Sequence, residues 1–148
     1  MERPATPSPP QFMKSKNSAV PPARLLLLDD NTAFCVMTAM ALRSRGYAVE
    51  PCGSPEAALE LARGSTQFQL LITDVVLGKT NGVEVAARVR EILPHIKVLF
   101  CSGYPEAALA RQGIDLGMGK FLIKPMSINA LSSMIEQLLN PAPAVSSA

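Results

Sequence analysis

The segment Leu25-Leu26-Leu27-Leu28-Asp29-Asp30 is an unbroken apolar run that stops on two carboxylates. The same plan returns along the chain. Asp74 follows Leu70-Leu71-Ile72-Thr73, Ser102 follows Val98-Leu99-Phe100-Cys101, and Lys124 follows Phe121-Leu122-Ile123 and precedes Pro125. Short continuous apolar runs bounded by polar residues read as strands of a parallel sheet buried on both faces. Open sheets of that kind bind ligands beyond the carboxyl ends of their strands. Three carboxylates, a hydroxyl and an ammonium are therefore expected to converge on one crevice.

Helices separate the runs. The first is expected from about Asn31, with Asp30 or Asn31 as its cap, to before Gly46. Tyr47 to Pro51 reads as a short second strand, and Ser54 caps a helix that begins Pro55-Glu56. A third helix spans about Val83 to Leu93, a fourth runs from near Pro105 to Gln112-Gly113, and a fifth, capped by Ser127, extends to about Leu139. Strand and helix alternation predicts an α/β fold with a doubly wound, five-stranded parallel sheet of flavodoxin-like (βα)5 type, strand order 2-1-3-4-5.

The converging residues have complementary chemistry. Neighbouring carboxylates repel, so they share a proton or bind a cation. No cysteine or histidine joins the set, and all-oxygen ligation suits Mg²⁺ or Mn²⁺. With the ion on Asp29 and Asp30, Asp74 is free to act as a nucleophile toward phosphorus and form an acyl phosphate. Lys124 and the Ser102 hydroxyl would then stabilise oxygens of the transferring group.

This pattern resembles the receiver domain of two-component response regulators, including receivers attached to hybrid histidine kinases, to which Ser102-Gly103-Tyr104 is similar. The resemblance covers about Arg24 to Leu139. It implies that Asp74 is the phosphoacceptor, that Asp29, Asp30, Asp74 and the Val76 backbone carbonyl hold Mg²⁺ or Mn²⁺, and that Ser102 and Lys124 complete the catalytic set. It also implies a switch in which Ser102, Phe121 and Tyr104 change position on phosphorylation. The loop from Asp74 to Gly82 is similar to the family's, with Gly eight residues after the phosphoacceptor, but Gly78 stands where receivers usually carry Pro. That difference predicts a more mobile loop. Val76 and Tyr104 occupy the positions that in the family shape water access, and their bulk predicts slow self-dephosphorylation.

The first helix is unusually apolar, and Phe34, Met37 and Met40 are the candidate docking residues for a histidine kinase or histidine phosphotransfer protein. His95, the sole histidine, is expected to be solvated. Two other readings compete. A phosphatase or phosphotransferase that forms an aspartyl phosphate typically pairs its nucleophile with a second Asp two residues on, where this chain has Val76 after Asp74 and Asn31 after Asp29. A binding module that works without phosphate is the other.

Composition bounds the rest. At 148 residues the chain is read as a receiver over 24–140, with a Pro-rich, disordered leader over 1–23 and a flexible tail over 141–148. Pro9-Pro10 in the leader is weighed as a docking motif and set aside as a plain Pro-rich leader. Residues 1–24 hold Arg3, Lys14, Lys16 and Arg24 against Glu2 alone, so the basic character belongs to the leader and nucleic-acid binding is not expected. Cys35, Cys52 and Cys101 read as reduced thiols, and neither a signal peptide nor a membrane span is evident. The expectation is a cytoplasmic, stand-alone receiver, a monomer or weak dimer, that signals to an unknown downstream protein and is not an enzyme acting on an external substrate.

Overall fold

The computed structural model describes residues 21–64 and 67–141. Most of the leader, the Pro9-Pro10 segment and the tail beyond Pro141 lie outside the described residues. Five parallel strands, β1 (Arg24–Leu28), β2 (Ala48–Cys52), β3 (Leu70–Asp74), β4 (Lys97–Ser102) and β5 (Lys120–Ile123), form a sheet in the order β2-β1-β3-β4-β5. This is the expected 2-1-3-4-5 arrangement. Helices α1 (Thr32–Arg43), α2 (Pro55–Arg63), α3 (Gly82–Ile92), α4 (Glu106–Arg111) and α5 (Ile128–Leu139) connect and follow the strands.

The continuous apolar runs serve two cores because successive strand residues point to opposite faces. Leu26, Leu28, Leu71, Val98 and Phe100 pack against α2, α3 and Leu109 of α4. Leu25, Leu27, Leu70, Ile72, Leu99 and Cys101 pack against α1 and α5. Cap chemistry fixes where the helices begin: the side chains of Asn31, Ser54, Asn81 and Ser127 each accept a backbone N–H three residues on. No described helix is long and apolar enough to cross a membrane.

One local reading is corrected and one element is added. The second strand runs Ala48–Cys52 rather than Tyr47–Pro51, because pairing with Arg24–Leu28 sets its register. The loop after Asp74 also holds a hairpin that the sequence did not announce: Val76–Leu77 pairs antiparallel with Thr80–Asn81. Gly78, at φ +62°, supplies the first corner of this two-residue hairpin, so glycine there meets a left-handed turn position that proline cannot adopt.

Candidate functional site

The sheet's own hydrogen-bond ladder positions the site. It continues past the strand ends: Asp29 N–H donates to the Cys52 carbonyl at 3.2 Å, Val75 N–H to Cys101 at 2.9 Å, and Lys124 N–H to Ser102 at 2.7 Å. The residues that flank these bonds are thereby brought to one rim of the sheet. Carboxylate oxygens of Asp29, Asp30 and Asp74 lie within 4.8 Å of one another. Asp29 is buried, Asp74 half-buried and Asp30 exposed.

Lys124 Nζ lies 2.6 Å from Asp29 Oδ2 and 3.3 Å from Asp74 Oδ2. The second oxygen of each carboxylate is also engaged. Asp29 Oδ1 accepts the Asn31 N–H at 2.9 Å, and Asp74 Oδ1 accepts the Val76 N–H at 3.3 Å. Burial pushes the Asp74 carboxyl above its ordinary value, with Lys124 opposing and Asp29 reinforcing the push. Burial pulls Lys124 down, but its hydrogen bond to Asp29 and the charges of Asp74 and Asp29 outweigh this and hold it above its ordinary value. The lysine is therefore a cation at neutral pH.

One ammonium facing three carboxylates leaves two negative charges uncompensated. A divalent, oxygen-seeking ion balances that excess, so the donor set fits Mg²⁺ or Mn²⁺. Ser102 is completely buried one residue beyond Cys101, the register partner of Asp74, and its Oγ accepts the Tyr104 N–H at 3.0 Å. Tyr104 is 57% exposed, whereas Phe121 is half-buried against the α2–α4 core. Val76 stands exposed beside Asp74.

Of the expected docking residues, Phe34 and Met37 line an apolar groove of about 400 Å³ between α1 and the start of α5, together with Met126, Ile128 and Leu131. Met40 is exposed farther along the same helix and outside that groove. His95 is exposed, as expected. Three contacts at the site were not anticipated, one of them made by the expected docking residue Phe34. Phe34 places its ring 4.4 Å from Lys124 Nζ. Cys35 Sγ donates to the Asp29 carbonyl at 3.2 Å, and Thr73 Oγ1 donates to the Asp74 carbonyl at 2.9 Å. Only Thr73 carried a signal, its adjacency to Asp74 in sequence; Cys35 lies six residues beyond Asp29, in α1. Phe34 carried none, because its partner is remote in the chain.

The sequence profile of the response regulator receiver domain matches residues 25–136. The response regulator receiver protein CpdR of Brucella abortus is 32% identical over 116 residues, covering 78% of this chain and 96% of CpdR. The sensor kinase CckA of the same organism is 34% identical over 119 residues, covering 79% of this chain but only 12% of CckA. The chain thus spans a small part of that kinase and nearly all of CpdR. Among solved structures, the receiver domain of the hybrid histidine kinase CckA superposes with a TM-score of 0.68 at 30% identity, covering 80% of this chain and all of that one. A Burkholderia pseudomallei response regulator with a phosphorylated aspartic acid and a calcium ion gives a TM-score of 0.68 at 30% identity, covering 84% and 71%. With a profile that spans most of the chain and a sheet that gathers the acidic trio and lysine at one rim, this protein belongs to the response regulator receiver domain family of two-component signalling.

Proposed function

We propose that Asp74 accepts a phosphoryl group from the phosphohistidine of a histidine kinase or histidine phosphotransfer protein, and that the folded unit is residues 24–140. The observation that carries this reading is Lys124 bridging Asp29 and Asp74 within a trio of carboxylates that one cation leaves undercompensated. An Asp74 oxygen forms the new bond to phosphorus as the P–N bond breaks, and its electron pair leaves with the imidazole. Lys124 neutralises a phosphoryl oxygen, and the Ser102 hydroxyl donates to another, giving up its bond with the Tyr104 N–H. Phe121 moves into the space so vacated and reshapes the face made by α4, β5 and α5.

Asp29, Asp30, Asp74 and the Val76 carbonyl would hold Mg²⁺ or Mn²⁺. In extended backbone the N–H and C=O of one residue share an edge, and the Val76 N–H meets Asp74, which puts its carbonyl on the carboxylate side. When bound, the ion supplies positive charge that screens the incoming phosphoryl oxygens. At about 100-fold excess over its dissociation constant it is expected to stabilise the fold by about 2.7 kcal/mol. A melting temperature that Mg²⁺ does not raise would count against the assignment. Support for the chemistry comes also from the similar Burkholderia protein, which holds a phosphorylated aspartic acid and a calcium ion.

The deciding experiment is intact-protein mass after incubation with acetyl phosphate, with Mg²⁺ or with a chelator, followed by peptide mapping. One added phosphoryl group on the peptide that holds Asp74, formed only with the metal, is expected; no gain sinks the reading. Exposed Val76, hydrogen-bonded to Asp74, and exposed Tyr104, hydrogen-bonded to Ser102, are expected to slow water attack, so the phosphorylated form should outlast a half-life of seconds.

The groove and the exposed Met37 and Met40 form the docking face for the phosphodonor protein. Met37→Glu and Met40→Glu are expected to slow transfer from a protein donor by 10-fold or more, about 1.4 kcal/mol each, while leaving labelling by acetyl phosphate unchanged. Parallel loss with both donors would place these residues in the fold rather than the interface. On this reading the chain acts as a cytoplasmic receiver, a monomer or weak dimer, that catalyses only its own phosphorylation and dephosphorylation and passes the signal to another protein.

A further inference from the structure

We propose that Phe34 is a positioning residue for phosphoryl transfer at Asp74, acting through Lys124; this rests on the receiver reading above. An ammonium has three N–H donors. Two of those on Lys124 point to Asp29 Oδ2 and Asp74 Oδ2, at 2.6 and 3.3 Å. The Phe34 ring centroid lies 4.4 Å from the same nitrogen, well inside the reach at which an aromatic face attracts a cation. Both residues also line the apolar groove between α1 and α5. The ring therefore faces the ammonium from the lining of the groove.

The ring does not sit there by general packing alone. Asp29 Oδ1 holds the Asn31 N–H at 2.9 Å, and Asn31 Oδ1 in turn holds the N–H of Phe34 at 3.0 Å. Asp29 also grips Lys124 through its other oxygen. Asp29, Asn31, Phe34 and Lys124 close a circuit in which one buried carboxylate fixes both the lysine and the residue that covers it. Without the aromatic face, the flexible lysine stem can swing toward the groove and its third donor is left to water. The lysine then spends less time beside the phosphoryl group it must neutralise. A leucine fills similar space but offers no negative face, whereas tyrosine keeps the face.

The experiment compares the full chain with Phe34→Leu, Phe34→Met and Phe34→Tyr, with acetyl phosphate as donor at saturating Mg²⁺. Leu and Met are expected to lower the maximal labelling rate by about three- to tenfold, with half-saturation by donor unchanged, and Tyr to stay within about twofold of wild type. Proton spectra should show ring-current displacement of the Lys124 side-chain methylenes in wild type and Tyr, and its loss in Leu and Met. Melting curves identify any variant that fails to fold. Wild-type rates in both aliphatic variants, or equal loss in all three, would overturn the proposal while leaving Asp74 as acceptor. No labelling of wild type would overturn the receiver reading and this proposal with it.

Discussion

Asp74→Asn is expected to take no phosphoryl group from acetyl phosphate or a protein donor, and yet to fold more stably than wild type at neutral pH. Loss of labelling follows because an amide lacks the anionic oxygen that forms the bond to phosphorus. The gain in stability follows from the same carboxylate's surroundings. Burial and the nearby Asp29 raise its folded pKa above the ordinary 3.8, against the pull of Lys124. A carboxyl with a raised folded pKa binds its proton more tightly in the native state, so ionising it costs stability as pH rises through the ordinary value toward the folded one. Asparagine avoids that cost, while Lys124 keeps its shorter contact with Asp29. The gain is expected at pH 7 and vanishes as pH falls below the ordinary carboxyl range. The comparison is made by denaturant titration without divalent metal at several pH values. A destabilised variant at pH 7 would show that the Lys124–Asp74 contact outweighs the burial of charge.

Gly82→Ala is expected to be strongly damaging both to the fold and to the site. A Cβ at this position would collide with the Asp74 carbonyl oxygen and come within 3.1 Å of Thr73 Oγ1. Neither side can yield cheaply. Asp74 ends β3, which is paired with β1 on one side and β4 on the other. Gly82 opens α3, whose Val85, Ala86 and Val89 are buried, and its N–H is tied to the Val75 carbonyl at 2.7 Å. Overpacking of this kind costs about 3 kcal/mol, a fall of roughly 10–15 °C in melting temperature. Because the strain falls on Asp74 itself, labelling and metal response should fall with it. Gly103→Ala serves as the control: nothing lies within 4 Å of a Cβ there, so a change under about 0.5 kcal/mol is expected. Equal melting temperatures for the two variants would contradict the close approach at Gly82.

The spacing that put glycine eight residues after Asp74 was visible in the sequence, but its reason was not. It marks the place where the start of α3 crosses the end of β3, a contact between backbones that has no local signal. The hairpin around Gly78 went unforeseen for a related cause: its flanks Val76-Leu77 and Thr80-Asn81 are too short to stand out as strands. The second strand slipped by one residue because its bounds depend on β1 rather than on its own composition.

The apolar runs of the chain by themselves determined the parallel sheet, its doubly wound order and the rim on which Asp29, Asp30, Asp74, Ser102 and Lys124 meet. Strands buried on both faces must be continuously apolar, and their carboxyl ends are where polar residues can resume. Tertiary structure alone decided the distances within that rim. It set Lys124 closer to Asp29 than to Asp74, laid the Phe34 ring against the lysine, and opened the groove between α1 and α5. Those outcomes depend on how a helix near the start of the chain packs beside a loop near its end. Such a relation is written in side-chain volumes across the core, not in the order of neighbouring residues.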